Sequence, residues 1–320
     1  MSQPDQVPLD DRTAFDAAVT FGLGVPIIEP TVVARGELGR VWQIETVQGR
    51  FALKEPLAHV MTAPDSEVEA NVVLQEHMLD NGVAMPRPIR TPDGRGAVGR
   101  WRAYEWVDLA PFEGPFELLG AAMARMHAAG PATDKPTDRW FTDVVSGPDW
   151  DVINDQATVG AVLWAPLVRA ITPELQALNE LIRSPRNEPR RICHLDVCTD
   201  NIAEAPSTPL VIFDWENAGP ASPRQDLCST VADLREVDRD PQPLFDGYRQ
   251  AGGDDRALQP GDFALALAHQ AHMIELSCRR ALDHPQIGDE IGDRARWRLA
   301  RALFRPLTRA AVDRLVEEIS

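Results

Sequence analysis

The chain is 320 residues long, 44% hydrophobic and carries a formal net charge of −17; it has enough apolar sequence for a core and enough length for two lobes, which excludes a disordered polypeptide. That acidity repels phosphate backbones and anionic lipid, which excludes nucleic acid and membrane as main partners. It fits a cationic small molecule and, equally, a solubility device.

No apolar run approaches the ~20 residues of a membrane span. The opening MSQPDQVPLDD lacks the basic-then-apolar character of a signal peptide, and Cys193, Cys198, Cys228 and Cys278 form no CxxC pair. A soluble, cytoplasmic protein with reduced thiols is therefore expected.

In chain order, RTAFDAAVTFGL (Arg12 to Leu23) reads as a short amphipathic helix, and the alternating runs TVVARG, RVWQIETV and RFALKEP read as strands. Val68, Val72, Leu74 and Met78 recur near helical spacing in SEVEANVVLQEHMLDNG, which stops at Gly82, a helix-ending glycine. After the Pro-rich MPRPIRTPDG comes a further strand, RWRAYEWV. From Phe116 onward the pattern turns helical: FELLGAAMARMHAAG, PELQALNELIR, FALALAHQAHMIELSCRRAL and RARWRLARALFRPLTRAAVDRLVEEI. The shift between Val107 and Pro115 predicts an α+β fold of two lobes. Residues 1–107 form a small β-rich lobe and residues 108–320 a larger, mostly helical one. A cleft between two lobes is a preferred place for a small ligand.

The stretch HLDVCTDNIAEAPSTPLVIFDWE, His194 to Glu216, carries the chemistry. It reads as a loop, a short strand at Asn201 to Ala203, a Pro-containing turn, and a strand PLVIF that delivers Asp214 at its end. Hairpin geometry can bring Asn201 and Asp214 close, with Asp196 on the loop just before them. A carboxylate and an amide oxygen together suit a hard cation such as Mg²⁺. A second carboxylate beside that metal can accept or orient a hydroxyl proton.

Taken in order, RGELGRVWQIE, FALK, VEANVVLQEH, AYEWV, HLDVCTDN, IFDWE and ASPRQDL make the chain resemble the aminoglycoside phosphotransferase and choline kinase group of small-molecule kinases, which share the protein-kinase-like bilobal fold. The resemblance covers most of the chain and rests on the order of the motifs. It implies that the first lobe binds nucleotide, with Gly36 and Gly39 in the loop over the phosphates and Lys54 on the α and β phosphates, oriented by Glu69. Tyr104, Glu105 and Val107 would lie along the purine at the connection. Asp196 would be the catalytic base or the orienter of the acceptor hydroxyl, and Asn201 and Asp214 would hold Mg²⁺. His194 would brace the loop and Asp226 would cap its backbone amides.

Departures from protein kinases point to small acceptors. There are two phosphate-loop glycines rather than three, Cys198 stands where a protein kinase carries a lysine, and twelve positions (214 to 226) leave no room for an activation loop. Within the small-molecule branch the loop often begins His-Gly-Asp; here it is His-Leu-Asp, with the bulky Leu195. The Tyr104 ring would press the purine toward a guanine-compatible register, so GTP is expected to serve at least as well as ATP; the plainer reading is a packed strand aromatic.

Several residues take bland readings. His127 is a helix-end packing residue, and His269 and His272 are structural rather than zinc ligands. Asp149, Asp151 and Asp155 form a solvated acidic loop that could attract ammonium groups, and Glu275 is a similar candidate. The basic carboxy-terminal run is a solvated helix face. The expected activity is transfer of the γ-phosphate of ATP or GTP, with Mg²⁺, to a hydroxyl on a small molecule; a cationic one suits the acidic charge. An antibiotic is the first expectation for that molecule; choline, a sugar or a hydroxy amino acid comes second. A catalytically silent nucleotide-binding regulator is the third reading, opposed by the intact set of Lys54, Asp196, Asn201 and Asp214. Oligomeric state has no signal in the sequence.

Overall fold

A computed structural model of the protein describes residues 11–36, 39–56, 65–99, 101–184 and 188–319. The chain divides into two compact units, Met1–Phe112 with Ile202–Glu216, and Glu113–Asn201 with Asn217–Ser320. The division expected after Val107 thus falls after Phe112, and Ile202–Glu216 returns to the first unit. The reason is backbone pairing, since Ala110 and Pro111 ladder with Glu204 and Ala203. No helix among the described residues is long and apolar enough to cross a membrane.

The first unit opens with α1 (Asp11–Thr20), followed by β1 (Thr31–Arg35), β2 (Gly39–Thr46), β3 (Gly49–Pro56), α2 (Asp65–Asp80), β4 (Pro88–Ile89) and β5 (Arg102–Glu105). The strands form an antiparallel sheet in the order β1-β2-β3-β5-β4. Period-two alternation gives this sheet two different faces. Trp42, Ile44, Leu53 and Ala103 point to one face, where Ala14, Ala17, Ala18 and Phe21 of α1 cover them. Alanines let that helix lie close, and each large side chain buried there contributes about 1.5–3 kcal/mol. The other face carries Ala52, Lys54, Arg102 and Tyr104, because Lys54 pairs directly with Arg102, and Ala52 with Tyr104. Gly82 ends α2 at φ +79, as its sequence position predicts.

Strand β6 (Ala110–Pro111) closes the first stretch of this unit, and α3 (Phe116–Ala129) begins the second unit. Next come β7 (Ala132–Thr133), α4 (Gly147–Val159), α5 (Ala165–Ala177), α6 (Asn179–Arg183) and β8 (Arg190–Cys193). The hairpin of β9 (Ile202–Ala205) and β10 (Thr208–Ile212) belongs to the first unit. It starts one residue later than the short strand expected at Asn201. The chain then continues through β11 (Gly219–Ala221), α7 (Pro223–Glu236), α8 (Gln242–Gln250), α9 (Ala264–Asp283), α10 (Glu290–Phe304) and α11 (Arg309–Glu318).

Glycine explains the tight packing of α3 on α8. A Cβ on Gly120 would lie 1.9 Å from the Leu244 carbonyl oxygen, and one on Gly247 would lie 2.1 Å from that of Glu117. Two stretches that read as single helices are each broken. PELQALNELIR divides into α5 and α6 at Leu178. The last stretch stops at Phe304 ahead of Pro306, and Thr308 caps its continuation through the Ala311 amide at 3.2 Å.

Candidate active-site residues

In the first unit, β10 ends at Ile212; Asp214, two residues on, adopts φ +67, and the chain tightens into a single 3₁₀ turn, Trp215–Asn217. Trp215 is buried, and its indole nitrogen donates to the Ile212 carbonyl at 3.2 Å. That turn presents two carboxylates to the polar face of the sheet. Lys54 Nζ lies 2.6 Å from Asp214 Oδ1 and 2.7 Å from Glu216 Oε2, while Arg102 Nη1 lies 2.7 Å from Glu216 Oε1. Burial favours neutral Glu216, yet the charges of Lys54 and Arg102 outweigh it and hold that carboxyl well below its usual range. Asp214 is pushed up by burial and by the Glu216 charge, against the pull of Lys54. Burial works against charge on Lys54 as well, and Glu216 and Asp214 more than reverse it. Tyr104, on the same face, is pushed up to about 12 by burial and the Glu216 charge.

Glu69 does not take the place the resemblance implies. Its carboxylate pairs with Arg90 and accepts the Gly96 amide at 2.9 Å. The cause is helix geometry. Asn71, two positions along α2, donates to the Trp215 carbonyl at 2.6 Å, and residues two apart on an α-helix point about 200° away from each other. The face of α2 that meets the Asp214 turn carries Asn71 and Gln75, which are joined at 2.6 Å.

The Gly36 amide donates to the Gly39 carbonyl at 2.8 Å, closing the β1–β2 turn; Glu37 and Leu38, the tip of the expected phosphate loop, lie outside the described residues. Glu105 is exposed at the end of β5, its amide donating to the Arg87 carbonyl at 2.9 Å, and Val107 is half-buried. Arg50 holds the following segment through both oxygens of Asp108, at 2.9 and 2.7 Å.

In the second unit Asp196 sits on the loop after β8. Asn217 Nδ2 donates to its Oδ2 at 3.1 Å, and Asn201 Nδ2 to its carbonyl at 2.9 Å. Burial pushes the Asp196 carboxyl up to about 7, opposed by the Asn217 and Asn201 hydrogen bonds. The loop is held through its backbone. The Leu195 amide donates to Asp226 Oδ1 at 2.9 Å, the Thr199 amide to Asp233 Oδ2 at 2.7 Å, and Thr230 Oγ1 to the Val197 carbonyl at 2.8 Å. The expected capping by Asp226 is present, and His194 Nδ1 accepts the Asp196 amide at 3.3 Å. Leu195 adopts φ +66, a left-handed conformation that glycine takes without strain. Its side chain repays this by packing, 2% exposed, with Phe141, Cys193, Ala221 and Leu265.

Three bland readings change. His127 is not a packing residue, because its ring bridges Tyr248 Oη at 2.8 Å and Asp226 Oδ2 at 2.9 Å, all buried. The basic carboxy-terminal run is not a free solvated face, since Arg301 of α10 reaches Asp200 at 3.2 Å, Asp233 at 3.3 Å and Glu236 at 2.5 Å. Asp149 and Asp151 lie in the first turns of α4 rather than in a loop, with Ser146 as the cap, and Arg279 pairs with Glu275 and with Asp149. His272 accepts a structural place, stacked on Trp140 and within 3.1 Å of the Asp143 carbonyl.

Glu216, Arg102, Asn217 and Asp233 were not singled out by the sequence. A signal existed for the first two: Asp-Trp-Glu sets a second acid two residues past Asp214, and period-two alternation puts an arginine opposite Lys54.

A small antiparallel sheet bearing a lysine and a mostly helical remainder bearing the Asp196 loop define the class of kinase-like phosphotransferases. The chain belongs to the phosphotransferase enzyme family, whose model matches residues 29–264. It is 33% identical over 207 residues to a homoserine kinase of Methylobacterium sp. (strain 4-46), a match covering 62% of this chain and 60% of that protein. The match to a homoserine kinase of Paramagnetospirillum magneticum is 27% over 205 residues, covering 61% and 59%. The chain thus spans about three fifths of the length of these curated relatives. Among solved structures it shares its fold with a spectinomycin phosphotransferase in complex with ADP and spectinomycin, at a TM-score of 0.65 and 14% identity over 97% of this chain and 99% of that one. It also shares the fold of a choline/ethanolamine kinase family protein from Mesorhizobium loti, at 0.55 and 17% over 97% and 98%.

Proposed function

We propose that the protein is a small-molecule O-phosphotransferase that moves the γ-phosphate of a nucleoside triphosphate to an acceptor hydroxyl. The observation that carries this reading is the Lys54–Asp214 pair, 2.6 Å apart in a member of the phosphotransferase family. The acceptor oxygen attacks the γ-phosphorus, the bond to the bridging oxygen breaks and the nucleoside diphosphate leaves. Lys54 offsets phosphate charge, and the hydroxyl proton passes to the Asp196 carboxylate. A carboxyl brought up to about 7 suits that task near neutral pH, where base strength and the charged form are both available.

The residues fit a divalent cation. Asp214 is an oxygen donor whose carboxyl is raised by burial and a neighbouring carboxylate, the chemistry that a hard dication relieves. On the resemblance alone, Asp214 and Asn201 are the residues that would hold Mg²⁺. Bound there, the ion neutralises charge on the phosphates.

The homoserine kinase relatives favour a hydroxy amino acid as acceptor. An antibiotic is the second reading, favoured by the fold shared with the spectinomycin enzyme. ATP and GTP are both candidate donors, with Tyr104 beside the purine. A cytoplasmic setting agrees with the four free cysteines, whose thiols burial pushes up.

Diphosphate release with Mg²⁺ and ATP or GTP, against homoserine, choline and spectinomycin, tests the whole reading. Stimulation by homoserine, absent in Asp196→Asn, is the expected result. Stimulation by spectinomycin instead moves the acceptor to the second reading, and nucleotide binding with no stimulation by any hydroxyl compound favours a silent regulator.

A further inference from the structure

We infer that Glu216, held by Arg102, is the residue that positions Lys54 for the nucleotide, the task an acid on α2 was expected to perform. This rests on the phosphotransferase reading above and adds a positioning residue to it.

The sheet itself creates the need. Lys54 and Arg102 are direct cross-strand partners, so both side chains leave the same face side by side, and like charges in that relation repel. A single carboxylate placed between them removes the conflict. Glu216 does so with one oxygen for each cation, 2.7 Å to Lys54 Nζ and 2.7 Å to Arg102 Nη1. The Glu216 and Arg102 side chains are 7% and 5% exposed and that of Lys54 is 16%, so both ion pairs are sheltered from water, and the Arg102–Glu216 hydrogen bond gives the carboxylate a fixed direction.

The backbone under Glu216 is fixed as well. Asn71 of α2 clamps the Trp215 carbonyl at 2.6 Å, and the buried Trp215 ring is tied to Ile212. The helix therefore orders the lysine's partner without supplying it. Glu69, on the opposite side of α2, is spent on Arg90 and Gly96. An ammonium group has three donors. One is donated to Asp214 at 2.6 Å, and Glu216 holds the group as an ion pair at 2.7 Å, so Lys54 keeps donor capacity for a phosphate oxygen.

The test compares Glu216→Gln, Glu69→Gln and the double variant Glu216→Gln/Arg102→Met, with calorimetric binding of ATP–Mg²⁺, steady-state kinetics and thermal melts. Glu216→Gln is expected to lower kcat/KM for the nucleotide about 10–100-fold, the range typical of residues that orient a binding group, without moving KM for the acceptor. Glu69→Gln is expected to cost less than about fivefold, the scale of a part-exposed ion pair.

The double variant separates positioning from charge balance. It removes the buried arginine that Glu216→Gln strands, so its melt is expected to recover while the nucleotide defect stays. Recovery of wild-type turnover in the double variant would show that Glu216 only balances Arg102 and would overturn the inference. A larger loss from Glu69→Gln than from Glu216→Gln overturns it too. If the unaltered protein binds no nucleotide, the phosphotransferase reading falls and takes this inference with it; if it binds and turns over while Glu216→Gln behaves identically, only the inference falls.

Discussion

The two sets of candidate functional residues are held by different forces. In the first unit Lys54, Arg102, Asp214 and Glu216 fix one another by charge, side chain to side chain, on the polar face of a sheet. In the second, the Asp196 carboxylate accepts from the neutral Asn217 amide, and its loop is held through backbone amides and carbonyls by Asp226, Asp233 and Thr230. In the proposed reaction the phosphate-binding lysine needs its charge kept and aimed, which paired carboxylates do. The proton acceptor in that reaction needs its charge only weakly compensated, so that its carboxyl titrates near neutrality, and burial of Asp196 outweighs the Arg298 charge. Neutral side chains and backbone contacts position it without strong stabilisation of the anion.

The contrast is broken most sharply at Asp196. Asp196→Asn keeps the shape and removes the proton acceptor, and is expected to lower kcat by about 10²–10⁴-fold with an unchanged melt and unchanged nucleotide affinity. Retained turnover in that variant would remove Asp196 from the chemistry altogether.

Asp226→Ala attacks the scaffold of the same loop. It strands the Leu195 amide and one nitrogen of the His127 ring, both buried, each at about 1–3 kcal/mol. The expected outcome is a clearly lowered melting temperature together with reduced turnover. A melt equal to wild type would mean that the loop does not depend on this network.

A milder change sharpens the electrostatic half of the comparison. Asp196 must be ionised to accept a proton, and burial raises its carboxyl to about 7; kcat/KM is therefore expected to climb as pH rises through about 7. Asn217 donates to the charged form, so Asn217→Ala is expected to move that limb to higher pH. An inflection that stays put, or moves down, assigns the titration to another group.

The smallest effect is expected at Leu195. Leu195→Gly relieves a left-handed φ worth about 1–2 kcal/mol but empties a buried site worth about 2–5 kcal/mol. A modest net loss in stability by denaturant titration is expected. A gain would mean that the backbone strain outweighs the packing of that side chain.

Legibility followed the range of the forces. Strands β2 and β3, the helix end at Gly82, and the arrival of Asp214 just past the end of a strand could be read because period-two alternation, a left-handed glycine and a short apolar run are local features. The break at Pro306 was equally local, and the long reading of the last helix passed over it. Glu69 shows the other limit: an acid at the right place in the order of motifs was on the wrong side of its helix, because Asn71 and not Glu69 meets Trp215. His127 and Arg301 were read as ordinary because their partners, Asp226 with Tyr248 and Asp200 with Asp233 and Glu236, lie far away in the chain.

The sequence by itself determined the fold class, the family resemblance and the kinds of chemical group available, since those depend on periodicity, turn residues and the order of short motifs. Only the tertiary structure decided which carboxylate serves Lys54 and what raises Asp196. Both are settled by strand register, helix phase and burial, quantities that arise when distant segments pack and exclude water.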